Sequence, residues 1–353
     1  MLRHSSDSEP GYTRKRHGRY WQYFDDGERV TDRDEIERLN SIALPPAYTD
    51  AWFCKDANGH IQATGKDARG RKQYRYHPDY RAKRDASKYD GCREFGEALP
   101  KLRRRVEKDL RKRKLSRDTV LAAVVRLLDR EHIRVGNEQY AKQNKSFGAT
   151  TLRSRHLRKS GGKMKMRFAG KHGIVREVTI TDANLKRIVR KCEDLPGQML
   201  FQYVNGDGNP QAVTSTDVND YIREATGEDF TAKHFRTWGA SVIFFEQLLA
   251  KAEQERISLK TVLEPVAEAL GNTPAISRNS YVHPCLIDAL QDDPRDPLHG
   301  MKRPRARRRL SSAETAFLKF LKRKPRRARG RSPSPACRAS GRGRRAPRRP
   351  GGR

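Results

Sequence analysis

The hydrophobic period of this 353-residue chain changes once, near residue 88, and that change divides its body in two. Before it, apolar and aromatic residues come in short runs closed by turn formers. Tyr20-Trp21-Gln22-Tyr23-Phe24 leads into Asp26-Gly27, and Trp52-Phe53-Cys54 leads into Asn58-Gly59 and residues 60–64. Asp-Gly and Asn-Gly supply the positive φ angles that two-residue hairpins need, so residues 1–88 are expected to be β-rich. After the change the period is helical. Ser116 precedes a stripe of Val120, Leu121, Val124, Leu127 and Leu128 that ends near Ile133. Thr181-Asp182 caps Leu185, Ile188, Val189 and Cys192, with Pro196-Gly197 as the stop. Ser215 or Thr216 caps Val218, Tyr221, Ile222 and Ala225, closed by Gly227. Trp238, Val242, Phe245 and Leu249 mark a fourth helix, and residues 262–270 a fifth that Gly271 ends. One strand pair interrupts the helices. Residues 163–168 and 174–180 flank Ala169-Gly170-Lys171-His172-Gly173, a hairpin with Lys171 at its tip.

A third part follows. From Met301 onward there are 21 Lys and Arg against one acid, Glu314, a net +20 that leaves +13 of the total +33 for residues 1–300. Residues 301–353, rich in Arg, Pro, Ser and Gly, are expected to be a mostly disordered basic tail, having too little apolar surface to offset chain entropy. Residues 310–321 are the exception, because Leu310, Ala313, Phe317, Phe320 and Leu321 keep helical spacing. Both the body and the tail lean toward a polyanion. Nucleic acid leads, since neutralising phosphates releases counterions. No apolar run is long enough to span a bilayer and residues 1–10 lack an apolar signal core, so the expectation is a cytoplasmic protein with no membrane partner. Cys54, Cys92, Cys192, Cys285 and Cys337 are odd in number and scattered, with no C-x-x-C pair. That pattern suits a reducing compartment and speaks against a disulfide framework or a zinc site.

Several chemistries lack their signatures. There is no H-E-x-x-H and no acidic cluster for two magnesium ions. Gly65-Lys66-Asp67-Ala68-Arg69-Gly70-Arg71-Lys72 comes near a P-loop but lacks Lys-Ser/Thr after its second glycine, and reads better as a loop against a phosphate backbone. No cofactor and no metal is expected. Phosphoryl chemistry by side chains alone requires a nucleophile, cations around the phosphate and an acid for the leaving oxygen. Tyrosine suits the first role, because a phenolate also leaves well. Composition alone does not pick the residues out.

Several blocks together resemble the type IB DNA topoisomerases of the compact bacterial, poxvirus-like kind. Ile133-Arg134-Val135-Gly136-Asn137-Glu138-Gln139-Tyr140, with Asn144-Lys145-Ser146-Phe147-Gly148, looks like the family's arginine box. Lys233-His234-Phe235-Arg236-Thr237-Trp238 resembles its K-x-x-R box, and residues 270–281 resemble the segment ending in the active tyrosine. Pro45-Pro46-Ala47, Gly59-His60-Ile61-Gln62-Ala63 and residues 70–76 match as well, so the likeness covers roughly residues 15–300. It implies an α+β fold: a β-rich N-terminal DNA-clamp domain over 1–88, a mainly helical catalytic domain with a β-hairpin over 89–300, and the tail at 301–353. It also implies Tyr281 as nucleophile, forming a 3′-phosphotyrosyl bond. Arg134 and Arg236 would grip the non-bridging oxygens. Lys171 would be the general acid, and Asn272 a hydrogen-bond donor where poxvirus and eukaryotic relatives have His. Lys72, Gln73, Tyr74, Tyr76 and Lys233 would contact double-stranded DNA, with the protein acting as a monomer in the nucleoid. Two departures, Ala149 for the usual Leu and Asn279-Ser280 before the tyrosine, lie beside the boxes.

Each residue has a plainer reading when taken alone. A tyrosine in a helical region is ordinarily core, a lysine at a turn is ordinarily solvated, and Asn after Gly is a common helix cap. Two other functions share some of the features. A tyrosine recombinase uses the same chemistry but typically has His at the position of Lys233 and a helical N-terminal domain. A non-catalytic architectural DNA binder would explain the tail but needs no ordered set of Arg134, Lys171, Arg236 and Tyr281.

Overall fold

A computed structural model describes residues 1–161, 163–251 and 256–323. The disorder expected for the end of the tail, with Cys337, falls on residues outside that set.

The first part is a six-stranded antiparallel sheet. Its strands are β1 (Gly11–His17), β2 (Tyr20–Asp25), β3 (Glu28–Arg29), β4 (Thr49–Cys54), β5 (Ile61–Lys66) and β6 (Lys72–Tyr76), in the order β3-β2-β1-β4-β5-β6. Asp26 and Gly27 both have positive φ, 44° and 92°, and make the tight β2–β3 turn that the sequence announced. The second hairpin differs from expectation. Asn58 and Gly59 sit in a longer connection with ordinary φ, because the N-terminal segment takes its hydrogen bonds: Arg3 N–H donates to Asn58 O (2.9 Å) and His60 N–H to Arg3 O (2.8 Å). Two helices also belong to this region, α1 (Arg33–Ser41) and α2 (Pro78–Ser87). Asp32 caps α1 by accepting from the Asp34 and Glu35 N–H groups, and Leu39 packs with Tyr23, Leu44, Phe53 and Ala63 in a small core of its own. Strand β6 is left at the sheet edge, with Tyr74 and Tyr76 45% and 39% exposed.

The second part is helical and has a separate, larger core. Helix α3 (Cys92–Leu110) and α4 (Arg117–Glu131) lie at its centre, and residues 119–128 of α4 are buried all round. Ser116 caps α4 as expected. Short α5 (Glu138–Asn144) follows the arginine-box segment. Strands β7 (Leu157–Ser160), β8 (Lys163–Ala169) and β9 (Val175–Ile180) form a three-stranded sheet, so the expected hairpin gains a partner strand that its short run did not signal. Ala169 pairs with Val175, which puts residues 170–174 at the tip. Then come α6 (Ala183–Glu193), a small hairpin β10 (Gln202–Val204) and β11 (Pro210–Ala212), and α7 (Ser215–Thr226). The cap of α7 is Thr214, one or two residues before the expected Ser215 or Thr216, because the Asp217 carboxylate accepts from the Thr214 N–H and closes a capping box. Helices α8 (Ala232–Lys251), α9 (Leu259–Leu270), α10 (Pro274–Ser280) and α11 (Pro284–Asp292) complete the body. Among the described residues no helix is long and apolar enough to cross a membrane.

The helix expected within the basic region exists as α12 (Ser312–Lys322), and it is part of the helical core. Phe317 is fully buried, its ring 5.3 Å from that of Trp238 and 5.4 Å from that of Phe245, both on α8. Glu314 accepts from Arg103 (2.7 and 2.9 Å) and from the Trp238 indole (3.1 Å), while Arg103 also grips Asp129 at 2.7 and 2.9 Å. The bidentate geometry satisfies charges that burial would otherwise penalise. We expect Phe317→Ala to destabilise the protein by about 3–5 kcal/mol, the usual range for emptying an aromatic site in a core. Urea unfolding measures this, and an unchanged midpoint would show α12 to be peripheral.

Candidate active site

The arginine-box segment leaves α4 at His132, which takes the left-handed conformation (φ 50°) and turns the chain out of the helix. Residues 133–135 then run against residues 148–150, with Ala149 N–H donating to Arg134 O (2.8 Å) and Thr150 N–H to Val135 O (2.7 Å). Gly148 is required there, because a Cβ would stand 2.5 Å from Arg134 O. This clamp fixes the root of Arg134. Its guanidinium donates to Asn272 Oδ1 at 3.0 Å, which occupies the acceptor end of that amide. The buried Nδ2 donor of Asn272 is left without a hydrogen-bond partner.

Arg236 lies on α8 and is 4% exposed. Main-chain carbonyls hold it: Nη1 donates to His132 O, and Nη2 to Leu270 O at 3.2 Å. Its buried Nε has no partner. Burial, and then the nearby Arg134 charge, lower its pKa to about 10. The His132 ring packs on Gly239 of α8, and burial lowers its pKa to about 4, so it is neutral at pH 7 and adds no further charge.

Tyr281 ends α10, a short helix capped by Thr273 and started by Pro274. Ser241 on α8 pins the segment by accepting from the His283 N–H (3.0 Å), while its one hydroxyl proton has Thr237 O at 2.8 Å and Tyr281 O at 3.4 Å as acceptors. The Arg236 guanidinium carbon lies 4.7 Å from the Tyr281 ring centroid, and Lys88 Nζ lies 5.9 Å from it. Burial acts to raise the Tyr281 pKa, but the charges of Arg236, Arg134 and Lys171 outweigh it and the net shift is downward. All five expected catalytic residues therefore share one site, with Lys171 reaching it from the exposed β8–β9 tip.

The site opens into a groove of about 1160 Å³ between the two parts. Nine of its lining residues are Lys or Arg and none is Asp or Glu, so it is built for a polyanion. Tyr74, Tyr76 and Lys233, three of the residues expected to contact DNA, line it. Lys72 and Gln73 are engaged within their own lobe, Lys72 with Asp7 and Gln73 with Asp67 at 3.0 Å. Tyr80, Arg81, Arg84 and Lys88 of the α2 region also line the groove and were not foreseen, although their helical spacing just after Tyr76 was a usable signal. Nothing local signalled Ser241 or the His132 carbonyl. Among the described residues no group of three or more His, Cys, Asp or Glu is placed to hold a metal ion.

Comparison with known proteins decides the family. The model described as "Eukaryotic DNA topoisomerase I, catalytic core" matches residues 77–296, and "Bacterial DNA topoisomerase IB, N-terminal domain" matches residues 20–67. The chain belongs to the type IB DNA topoisomerases. It is 35% identical to DNA topoisomerase 1B of Acanthamoeba polyphaga mimivirus over 286 residues, 78% of this chain and 85% of that one. It is 21% identical to DNA topoisomerase 1B of vaccinia virus (strain Copenhagen), over 76% of this chain and 90% of that one. A solved complex of the XerH site-specific recombinase with a palindromic difH substrate is 17% identical with a TM-score of 0.35, covering 54% of this chain and 50% of that chain. As a topoisomerase the protein binds DNA, and the α+β class expected from the sequence holds.

The electrostatics of this topoisomerase site can be read without DNA. The difference in near-ultraviolet titration between the wild type and Tyr281→Phe isolates one phenol, which should ionise below the ordinary value near 10. Arg134→Ala removes one of the cations and should move that ionisation to higher pH. An unmoved curve would mean that Arg134 is too far away or too well screened to act on the phenol.

Proposed function

We propose that this topoisomerase relaxes positive and negative supercoils in double-stranded DNA by transient cleavage of one strand, with Tyr281 as the nucleophile. The observation that carries the reading is the convergence of Arg134, Arg236, Asn272 and Lys171 on Tyr281 at the floor of a groove without carboxylates. The Tyr281 oxygen attacks the scissile phosphorus and its phenolic proton passes to solvent. A 3′-phosphotyrosyl bond forms as the bond to the 5′-oxygen breaks, and Lys171 gives that oxygen its proton. Arg134, Arg236 and the free Asn272 amide donor bind the non-bridging oxygens, where charge builds in the transition state. The new ester conserves the energy of the diester it replaced. Torsion then turns the free end about the intact strand, and attack by the 5′-hydroxyl reseals it without ATP or a metal ion.

In this reading residues 1–88 form one jaw of a clamp and the helical part the other, closing on DNA as a monomer. Tyr74, Tyr76 and Lys233 face the duplex from inside the groove, and Lys72 and Gln73 act from its edge. The basic tail adds non-specific affinity. The protein works in the cytoplasm, on the nucleoid.

Plasmid relaxation with EDTA present and ATP absent tests the whole scheme. Wild type should relax both signs of supercoil, while Tyr281→Phe should shift DNA on a gel and relax neither. A Tyr281→Phe enzyme that still relaxes DNA would remove this residue from the chemistry. At Asn272, loss of one preorganised donor in the Ala variant should slow single-turnover cleavage by about 10²-fold. Asn272→Asp should be slower still, because it sets an anion against the phosphate and Arg134. Equal rates for the two variants would count against direct contact with the phosphate.

A further inference from the structure

The catalytic lysine stands on an exposed tip, yet a general acid has to be held within hydrogen-bond reach of its target. Residues 171–174 are all exposed, and His172 is in the left-handed region at φ 63°. The neck below the tip is tied on one side by the Phe147 N–H, which donates to Ala169 O at 2.8 Å. On its other side stands Arg176, on β9 opposite Phe168. Its Nη1 donates to Glu268 O and its Nη2 to Ala269 O, both at 2.7 Å, so it caps the carbonyl end of α9. Glu268 O also accepts from the Gly271 N–H of the helix cap (3.0 Å), and these carbonyls carry the negative end of the helix dipole, so a cation bridging two of them is well held.

The path of the Arg176 side chain ties two catalytic positions together. It runs past Gly170, where a Cβ would lie 3.4 Å from Arg176 Cγ, and past Gly271, where a Cβ would lie 2.8 Å from Arg176 Cδ. Gly170 immediately precedes Lys171, and Gly271 immediately precedes Asn272. Gly271 also has φ +59°, so no other residue fits easily there. The same carbonyl end of α9 receives Arg236 at Leu270 O. We propose that Arg176 is a positioning residue for the general acid: it staples the β8–β9 tip to the end of α9, and so fixes Lys171 relative to the phosphate held by Asn272 and Arg236. This rests on the reading of Lys171 as the proton donor.

A leaving group that needs no proton separates this role from a merely structural one. Single-turnover cleavage is measured on a duplex with either oxygen or sulfur at the bridging 5′ position of the scissile phosphate. A thiolate departs without protonation, so a defect in general-acid catalysis disappears on the sulfur substrate. Arg176→Met should cleave the oxygen substrate about 10- to 100-fold more slowly than wild type, a partial loss of the roughly 10²- to 10⁴-fold that a positioned acid supplies. On the sulfur substrate it should come within about threefold of wild type, the pattern expected of Lys171→Ala under the same general-acid logic. Arg176→Lys, which reaches only one carbonyl, should fall between, and it serves as the test if the Met variant does not fold. A rescued Lys171→Ala beside an unrescued Arg176 variant would overturn this inference alone. Lys171→Ala unrescued by sulfur would overturn the general-acid reading and the inference with it.

Discussion

The site depends on holding arginines in place without carboxylates. Arg236 is gripped by the carbonyls of His132 and Leu270, Arg176 by those of Glu268 and Ala269, and Arg134 by the side-chain oxygen of Asn272. All five acceptors are neutral. A carboxylate in any of these places would fix an arginine as firmly, but it would cancel the charge and compete with a phosphate for the same donors. Neutral acceptors orient each guanidinium while leaving its charge for the ligand. The consequence is a guanidinium whose pKa is lowered, first by burial and then by the neighbouring Arg134 charge.

Such a site has to be held by the surrounding structure. Helix α8 does most of this, because it carries Lys233, Arg236 and Ser241 and so sets the Tyr281 segment and its nearest cation from one rigid element. On its far side α12 supplies Glu314 to Trp238 and Phe317 to Trp238 and Phe245. The Phe317 ring also lies 6.4 Å from that of His283, two residues past Tyr281. Carboxylates are used freely here, in the Arg103–Asp129–Glu314 cluster, and kept out of the groove. The charge segregation is thus a division of labour. Buried ion pairs lock the scaffold, and the groove is lined by cations with no carboxylate among them.

How much of this was legible in the sequence follows from range. Features set by neighbours along the chain were readable: the Asp26-Gly27 turn, the caps at Ser116 and Asp182, the stops at Gly227 and Gly271, and the tip at Lys171. The Asn58-Gly59 turn failed because a segment more than fifty residues earlier claimed its hydrogen bonds. The candidate catalytic residues were found through several motif blocks in order, since none stands out by composition. Arg176 and Ser241 could not be found in that way. Each acts through a bond to a residue 40 or more positions distant, and an Arg on a strand or a Ser in a helix has no local mark of such use.

The field on Tyr281 also bears on the direction of the proposed reaction. Cations that lower the phenol's pKa increase the fraction ionised at a given pH, but they make each phenolate a weaker nucleophile and a better leaving group. The first effect speeds attack on the phosphate, the second opposes it, and the third speeds resealing. An enzyme that breaks a chromosome strand gains most from the last. The same arginines that assist cleavage therefore bias the covalent state toward being short-lived. In the proposed scheme Lys171 completes the balance, because the same side chain that protonates the departing 5′-oxygen takes the proton back as that hydroxyl attacks. Held at the neck by Arg176, the lysine serves both directions from one position, and the free end can turn away and come back to an unchanged site.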